Sequence, residues 1–389
     1  MRIGRLLGID IVIDASWLLI ATLMTFDLTA VFMQWHPSWA LAACAILAMA
    51  ATVLFFLMIL AHELAHALVA MTLGMKVTSI RLFLFGGVSN IDEEPPSAKG
   101  ELAMAVAGPL VSIGAGVALL VASTFLLSPI DPRAPLYAFQ SLGPIATLVV
   151  WLGPVNLGLG LFNLLPAFPL DGGRVLRAVA WIVTKDLDRA TRFATQVSQV
   201  VGWTLVVFGA VRFFVLRETM GALWLAFIGW FIVSGARRSY ESLRVQHALE
   251  GVRVGRLMRT PGPTVSPEAT IDELVERILV PSGLHAINVV MDDQLVGLVT
   301  SSDVWRLDRA QWGARTVADI MTPVRALATA APDDLVIDVL RRVAERDVTQ
   351  VPVIDDGVLV GIFDARQVAV WLRLALAPEH LRRPHWGAT

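Results

Sequence analysis

An ionisable cluster, His62-Glu63-Leu64-Ala65-His66, lies inside an otherwise apolar run from Trp39 to Leu73. A run of about 35 residues is long enough to cross a bilayer as a helix. A charged side chain at the centre of such a helix costs about 2.5–3.5 kcal/mol on insertion scales, so the fold has to offset it. With 3.6 residues per turn, His62 and His66 share one helix face one turn apart, and Glu63 stands beside them. This is the H-E-x-x-H arrangement that binds zinc. With 7 histidines in 389 residues, chance produces that pattern in about four chains in a thousand. The economical reading is a metal held within the bilayer. The plainer alternative is a buried polar pair bonded to backbone or to neighbouring helices.

Composition agrees with a membrane protein: 56% of residues are hydrophobic and 16% charged, against about 25% charged in soluble domains. The charge is unevenly spread. Residues up to about Val233 are charge-poor, whereas the sequence from Arg237 onward resembles an ordinary soluble protein. The fold class expected is a polytopic α-helical membrane domain of about six spans with a small interfacial β-sheet, followed by a soluble α/β region. The spans are Ser16–Met33, Trp39–Leu73, Glu101–Leu127, Leu136–Leu165, Ala190–Leu216 and Met220–Val233. The sole cysteine, Cys44, rules out an intramolecular disulfide, and a net charge of −2 gives no sign of nucleic-acid binding.

Lys and Arg in the connections set an orientation. Arg2 and Arg5 precede span one, Lys76, Arg81 and Lys99 follow span two, Arg174 to Arg192 follow span four, and Arg237 to Arg244 follow span six. By the positive-inside rule this places both termini and the soluble region in the cytoplasm; the membrane expected is the plasma membrane of a prokaryote. Two segments, Gly8–Asp14 and Lys76–Asn90, are β-branched and aromatic at near period two and can pair as a sheet. Strand edges are tolerated at membrane depth only where protein or water covers them, so the sheet belongs at the boundary beside the metal. An ordinary interfacial loop is the alternative.

Span four ends in Asn163-Leu-Leu-Pro166-Ala-Phe-Pro169-Leu-Asp171-Gly172-Gly173, and Asp171 is the only carboxylate between Asp131 and Asp186. Prolines on both sides of Phe168 are expected to unwind the helix, freeing Asp171 to turn toward a neighbouring one. Two histidines and a carboxylate leave a fourth tetrahedral position open, the mark of a catalytic rather than a structural zinc site. Water bound there becomes acidic enough to supply hydroxide near neutral pH, with Glu63 placed to take the proton. Asp171 can also be read as turn chemistry, and Asn163 either orients substrate backbone or caps the broken helix.

Taken in order, His62-Glu63-x-x-His66, Ala107-Gly108-Pro109-Leu110 and Asn163-x-x-Pro166 through Asp171-Gly172-Gly173 resemble the site-2 protease family of intramembrane zinc metalloproteases, over roughly Arg2 to Trp230. The resemblance implies one zinc per chain held by His62, His66 and Asp171, Glu63 as general base, and Asn163 as a substrate contact. It also implies cleavage of a membrane-anchored regulatory protein in or near its transmembrane segment. Helical backbone hides its carbonyls, so substrate has to be unwound. An edge strand near Phe83–Val88, with Phe85, Gly86 and Gly87, would hold it extended by β-augmentation.

The soluble region repeats internally. Val254-Gly-Arg-Leu-Met258 recurs as Val317-Ala-Asp-Ile-Met321, and Asp292-Asp-Gln-Leu-Val-Gly297 as Asp356-Gly-Val-Leu-Val-Gly361, a period of about 63–64 residues. Each copy reads as strand, helix, strand, strand, helix, and the pair resembles tandem CBS domains. That resemblance implies an adenine nucleotide such as ATP, with Thr300 and Asp303 in copy one placed for phosphate and ribose. Copy two puts Asp364 and Gln367 at those positions, leaving one well-formed site at most. A pair that only dimerises or stiffens the enzyme is equally compatible. The expected domains are 1–236 for the membrane protease, 237–252 for a linker helix, 253–312 and 313–375 for the CBS copies, and 376–389 for a tail. The competing functions are a CBS-regulated transporter or channel and a catalytically inactive membrane scaffold.

Overall fold

A computed structural model describes residues 2–83, 86–91, 95–126, 136–346, 348 and 350–376. The chain divides into two compact units, Met1–Tyr240 and Glu241–Thr389.

The first unit opens with a hairpin of β1 (Arg2–Leu6) and β2 (Ile9–Ile13). Leu7 and Gly8 both have positive φ, 51° and 86°, the geometry a two-residue hairpin turn requires. β1 had no counterpart in the sequence reading, where Arg2 and Arg5 were flanking charges. Asp14 caps α1 (Ala15–Trp35) by accepting from the Ser16 amide at 3.0 Å. α2 (Leu41–Thr72) carries the histidines and leads into β3 (Val77–Phe83) and β4 (Gly86–Ile91). The four strands form one sheet in the order β1-β2-β3-β4, β2 and β3 parallel and the other pairs antiparallel.

Period-two alternation buries Ile9, Ile11 and Ile80 against Ala67, Leu60 and Leu64 of α2. Leu82 packs on Phe56 and Ile59. The sheet is therefore anchored to the helix turns that bear His62 and His66.

α3 (Ala98–Thr124) follows, capped by Ser97, then α4 (Leu136–Gln140) and α5 (Pro144–Asn163). The single fourth span expected from Leu136 to Leu165 is thus two helices, broken at Ser141–Gly143 just before Pro144. α3 and α5 pack closely: a Cβ on Gly116 would lie 2.5 Å from the Leu157 amide nitrogen. α6 (Asp171–Thr184), α7 (Leu187–Phe214) and α8 (Met220–Leu249) complete the helices, and the last runs well past Val233. Among the described residues six helices are long and apolar enough to cross a membrane: α1, α2, α3, α5, α7 and α8.

The second unit holds a sheet ordered β5-β6-β7-β10-β9, with β8 paired to β7. Copy one contributes β5 (Thr264–Val265), α9 (Ile271–Leu274) continuing through a π turn into α10 (Val280–Ser282), β6 (Ala286–Met291), β7 (Gln294–Thr300) and α11 (Ser301–Trp305). Copy two contributes β8 (Thr322–Pro323), α12 (Val336–Arg346), β9 (Gln350–Asp355), β10 (Val358–Asp364) and α13 (Ala365–Ala375).

The openings of the two copies are exchanged. Val252 and Val254 join the core of copy two with Val336, Val353 and Phe363, while Val317 joins that of copy one with Ile271 and Val289. Arg259 and Ile362 trade backbone hydrogen bonds of 2.9 Å, and Leu298 pairs with Thr322. Gly361 packs on Met258, and Gly297 on Met321.

Candidate metal centre

Helical spacing brings His62 and His66 to one face of α2, with ring centroids 4.9 Å apart. Both are 4% exposed. Their Nε2 atoms lie 3.0 and 3.2 Å from one oxygen, Oδ2 of Asp171. His62, His66 and Asp171 form a group of ligand atoms within 4.8 Å of one another that can hold a metal ion.

The outward nitrogens are already committed, and this decides the chemistry of the inward ones. His66 Nδ1 faces the Met104 carbonyl at 2.7 Å, an acceptor, so Nδ1 carries the proton and the neutral ring presents a lone pair at Nε2. His62 Nδ1 lies 2.9 Å from the Ser112 hydroxyl. With His62 in the same tautomer, donating from Nδ1 to the Ser112 hydroxyl, two imidazole lone pairs and a carboxylate oxygen converge in a buried space and repel one another unless a cation lies among them. Ligands at about 2.0–2.2 Å in a tetrahedron are separated by about 3.3–3.6 Å, close to the 3.0 and 3.2 Å that separate Asp171 Oδ2 from the two Nε2 atoms. The donor set fits a divalent metal of the zinc kind.

Asp171 reaches the histidines by a route that differs from the one expected. It is not on unwound backbone: α5 ends at Asn163, residues 164–170 form a turn containing a cis Phe168–Pro169 peptide, and Asp171 is the first residue of a new helix, α6. An acid in a helix's first turn is favoured by the unpaired amides there. The turn is tied to α7 by the Phe168 amide, which donates to Ser198 Oγ at 2.8 Å. It leaves so little room that a Cβ on Gly173 would stand 2.5 Å from the Phe168 nitrogen.

Glu63 lies outside the three-ligand group. Its Oε2 accepts from Ser89 Oγ of β4 at 2.9 Å, and a Cβ on Gly87 would come within 3.0 Å of its Cδ. Strand β4 therefore rests directly on this carboxylate, with Gly86 and Gly87 at its start, and among the described residues it pairs with β3 on one side only. Phe85 lies outside the described residues. Asn163 ends α5 and donates its carboxamide to Leu159 O at 3.0 Å, within its own helix.

Thr300 and Asp303 are far along the chain, in the second unit, where they close on each other as the capping box of α11: the Thr300 hydroxyl donates to Asp303 Oδ2 at 2.6 Å. In copy two, Asp364 accepts from Arg366 Nη2 at 3.0 Å and Gln350 Nε2 at 3.1 Å.

Sequence reasoning missed the supports: Ser112 and the Met104 carbonyl behind the histidines, Ser89 behind Glu63, and a buried pair, Glu101 with Arg177. One signal was available. Glu101, Met104, Gly108 and Ser112 are spaced by three, four and four residues, which is one face of α3.

An H-E-x-x-H helix and a distant aspartate gathered among membrane-length helices define the metalloprotease class, and comparison with known proteins agrees. The model for peptidase family M50 matches residues 50–143 and 137–208, and that for the CBS domain matches residues 254–304 and 317–373. A protein of Mycobacterium tuberculosis provisionally named a zinc metalloprotease, Rip3, is 31% identical over 369 residues, spanning 94% of this chain and 91% of its own. Zinc metalloprotease MJ0392 of Methanocaldococcus jannaschii is 29% identical over 334 residues, 85% of this chain and 87% of that one. The solved site-2 protease from the same archaeon covers 62% of this chain and 94% of its own at 29% identity and a TM-score of 0.40. The chain belongs to peptidase family M50, the site-2 protease family, and carries a C-terminal CBS pair. It is an integral membrane protein.

Proposed function

We propose that this protein is a zinc-dependent intramembrane endopeptidase that cuts a membrane-anchored regulatory protein in or near its transmembrane segment. The observation that carries the reading is the convergence of His62, His66 and Asp171 on one point, between helices long enough to cross a membrane. Zinc held by these three residues would polarise the scissile carbonyl and make a water acidic enough to act as nucleophile near neutral pH. Glu63 takes the proton from that water and passes it to the leaving amine.

Ser89 holds the Glu63 carboxylate in place through the 2.9 Å hydrogen bond. The open edge of β4 receives the unwound substrate as an added strand, with Gly86 and Gly87 at its upstream end and Phe85 and Asn163 as further substrate contacts. Because β4 also carries Ser89, the strand that binds substrate and the residue that steadies the base are one element.

In this reading both termini and the CBS pair face the cytoplasm of a prokaryote, as the distribution of Lys and Arg supports. The domains follow the division into 1–236, a helical linker to 252, two CBS copies and a tail. The CBS pair regulates the enzyme and offers a homodimer contact. Copy one takes an adenine nucleotide at Thr300 and Asp303, whereas copy two carries Asp364 and Gln367 at those positions.

Two measurements test this. Purified wild type should hold about one zinc per chain, lost in His62→Ala/His66→Ala; a well-folded wild type without zinc refutes the reading. Membranes of cells expressing wild type should contain protein fragments newly cut at membrane depth that are absent with Glu63→Gln.

A further inference from the structure

The pair formed by Glu101 and Arg177 takes no part in the chemistry proposed above, yet it is the most deeply buried ion pair among the described residues. Glu101, in the first turn of α3, is 0% exposed, and Arg177, in α6, is 9% exposed. Arg177 Nε donates to Glu101 Oε1 at 2.7 Å, and Nη2 pairs with the same oxygen. Among the described residues, Oε2 of Glu101 has no hydrogen-bond partner. Removing two charges from water is costly, and apolar residues of similar size often serve stability as well or better. Stability alone does not account for a pair like this, whereas fixing one arrangement of two helices does.

The arrangement it fixes is the one that the metal site needs. Glu101 belongs to the same face of α3 as Met104, whose carbonyl orients His66, Gly108, which lies against both imidazoles, and Ser112, which contacts His62. Both α2 ligands are thus referenced to α3. The third ligand, Asp171, sits on α6, and α6 meets this face of α3 through Arg177. At 1.5 Å per residue, Glu101 to Gly108 spans about 10.5 Å along α3, and Asp171 to Arg177 about 9 Å along α6. The helices run in opposite directions past each other, so the ion pair and the metal site are two rungs of similar spacing between them. Arg177 also lies over the ring of Phe168, 5.9 Å from its centroid, within the turn that delivers Asp171.

We infer that Arg177 and Glu101 are positioning residues for the metal site: their ion pair sets the register of α6 on α3 and so brings the Asp171 carboxylate to His62 and His66. This rests on the proposed metal ligands. Groups that orient metal ligands from behind are commonly worth 10–100-fold in metal affinity.

The test uses the full-length protein, loaded with zinc, in detergent or lipid. Zinc release to a competing chelator is followed for wild type, Glu101→Gln, Arg177→Lys and the exchange Glu101→Arg/Arg177→Glu, with thermal unfolding of each measured after zinc removal. Glu101→Gln keeps the size and shape of the side chain, and Arg177→Lys keeps the charge but loses the fork. Each should release zinc about 10–100-fold faster while unfolding in the zinc-free form within a few degrees of wild type. The exchange should recover a large part of the loss. Release at the wild-type rate from both single variants overturns the inference. So does faster release in proportion to lost thermal stability without recovery in the exchange, since that is a packing defect. Wild type that holds no zinc at all overturns the metalloprotease reading, and this inference with it.

Discussion

Gly108 of α3 lies so close to His62 of α2 that a Cβ in its place would stand 2.6 Å from the imidazole Nε2, and it would also meet His66 Nε2. The glycine is a space requirement of the metal site. An added methyl group would push both nitrogens away from Asp171, and a shift of about 1 Å in a reacting group can cost about 100-fold in rate. Gly108→Ala should therefore lose at least that much cleavage together with most of its zinc. Ser112→Ala removes only the group behind His62 Nδ1 and should cost about 10-fold in zinc affinity. Elemental analysis and chelator competition read both; full zinc in Gly108→Ala would show that the histidines do not hold the ion.

Glu63 and the ligands should separate cleanly under mutation, because Glu63 is held by β4 rather than by the histidines. Glu63→Gln should keep zinc and lose about 100- to 10,000-fold in cleavage, the usual range for a general base. Asp171→Ala should weaken zinc binding itself. Gly87→Ala provides a subtler case: the new Cβ would crowd the Glu63 Cδ at 3.0 Å and draw the carboxylate from Ser89. Cleavage should fall about 10-fold or more with zinc unchanged. Loss of zinc in Glu63→Gln would mean that its assigned role is wrong.

The convergence of His62, His66 and Asp171 was legible because ionisable residues stand out against an apolar background: helical spacing puts the two histidines on one face, and Asp171 was singled out as the lone carboxylate of its stretch. The sheet was legible in part. β2, β3 and β4 follow from period-two alternation, whereas β1 was hidden because Arg2 and Arg5 read as charges flanking a span. The break between α4 and α5 and the birth of α6 at Asp171 were not legible, since proline marks the end of a helix more clearly than the start of the next. The supports were hardest. Ser112 is one of many small residues on a membrane helix, and the Met104 carbonyl has no side-chain signature at all. Ser89 acts only because the fold lays β4 across Glu63.

The exchange between CBS copies makes a prediction about stability. A methyl group on Gly361 would lie 2.8 Å from Met258 Sδ and 2.9 Å from Arg259 O. The methionine can move, but the Arg259 carbonyl accepts from the Ile362 amide at 2.9 Å and cannot. Overpacking of this kind costs about 1–3 kcal/mol. Gly361→Ala should lower the stability of the second unit by that amount in chemical unfolding, and Gly297→Ala, against Met321 Sδ and Thr322 O, by a similar amount. Shortening Met258 in the Gly361→Ala background should recover only part, because the carbonyl contact remains. Unchanged stability in both glycine variants would mean that the two openings are not clamped as described.

Asp364 supplies a pH dependence in the same unit. Burial pushes its carboxyl up, but hydrogen bonds from Arg366 and Gln350 and the Arg366 charge outweigh burial and hold it below the usual carboxylate value. A group with a lowered folded pKa stabilises the fold fully above its unfolded value of about 3.9, and that contribution disappears as pH falls through the folded value. The second unit should therefore lose stability from about pH 5 downward. Asp364→Asn, which cannot titrate, should start less stable at pH 7 and lose less between pH 6 and pH 3. Arg366 is 70% exposed, so about 1 M salt should shrink the difference between variant and wild type at pH 7. Parallel melting curves for the two proteins across that pH range would mean that Asp364 carries no net interaction with Arg366 and Gln350.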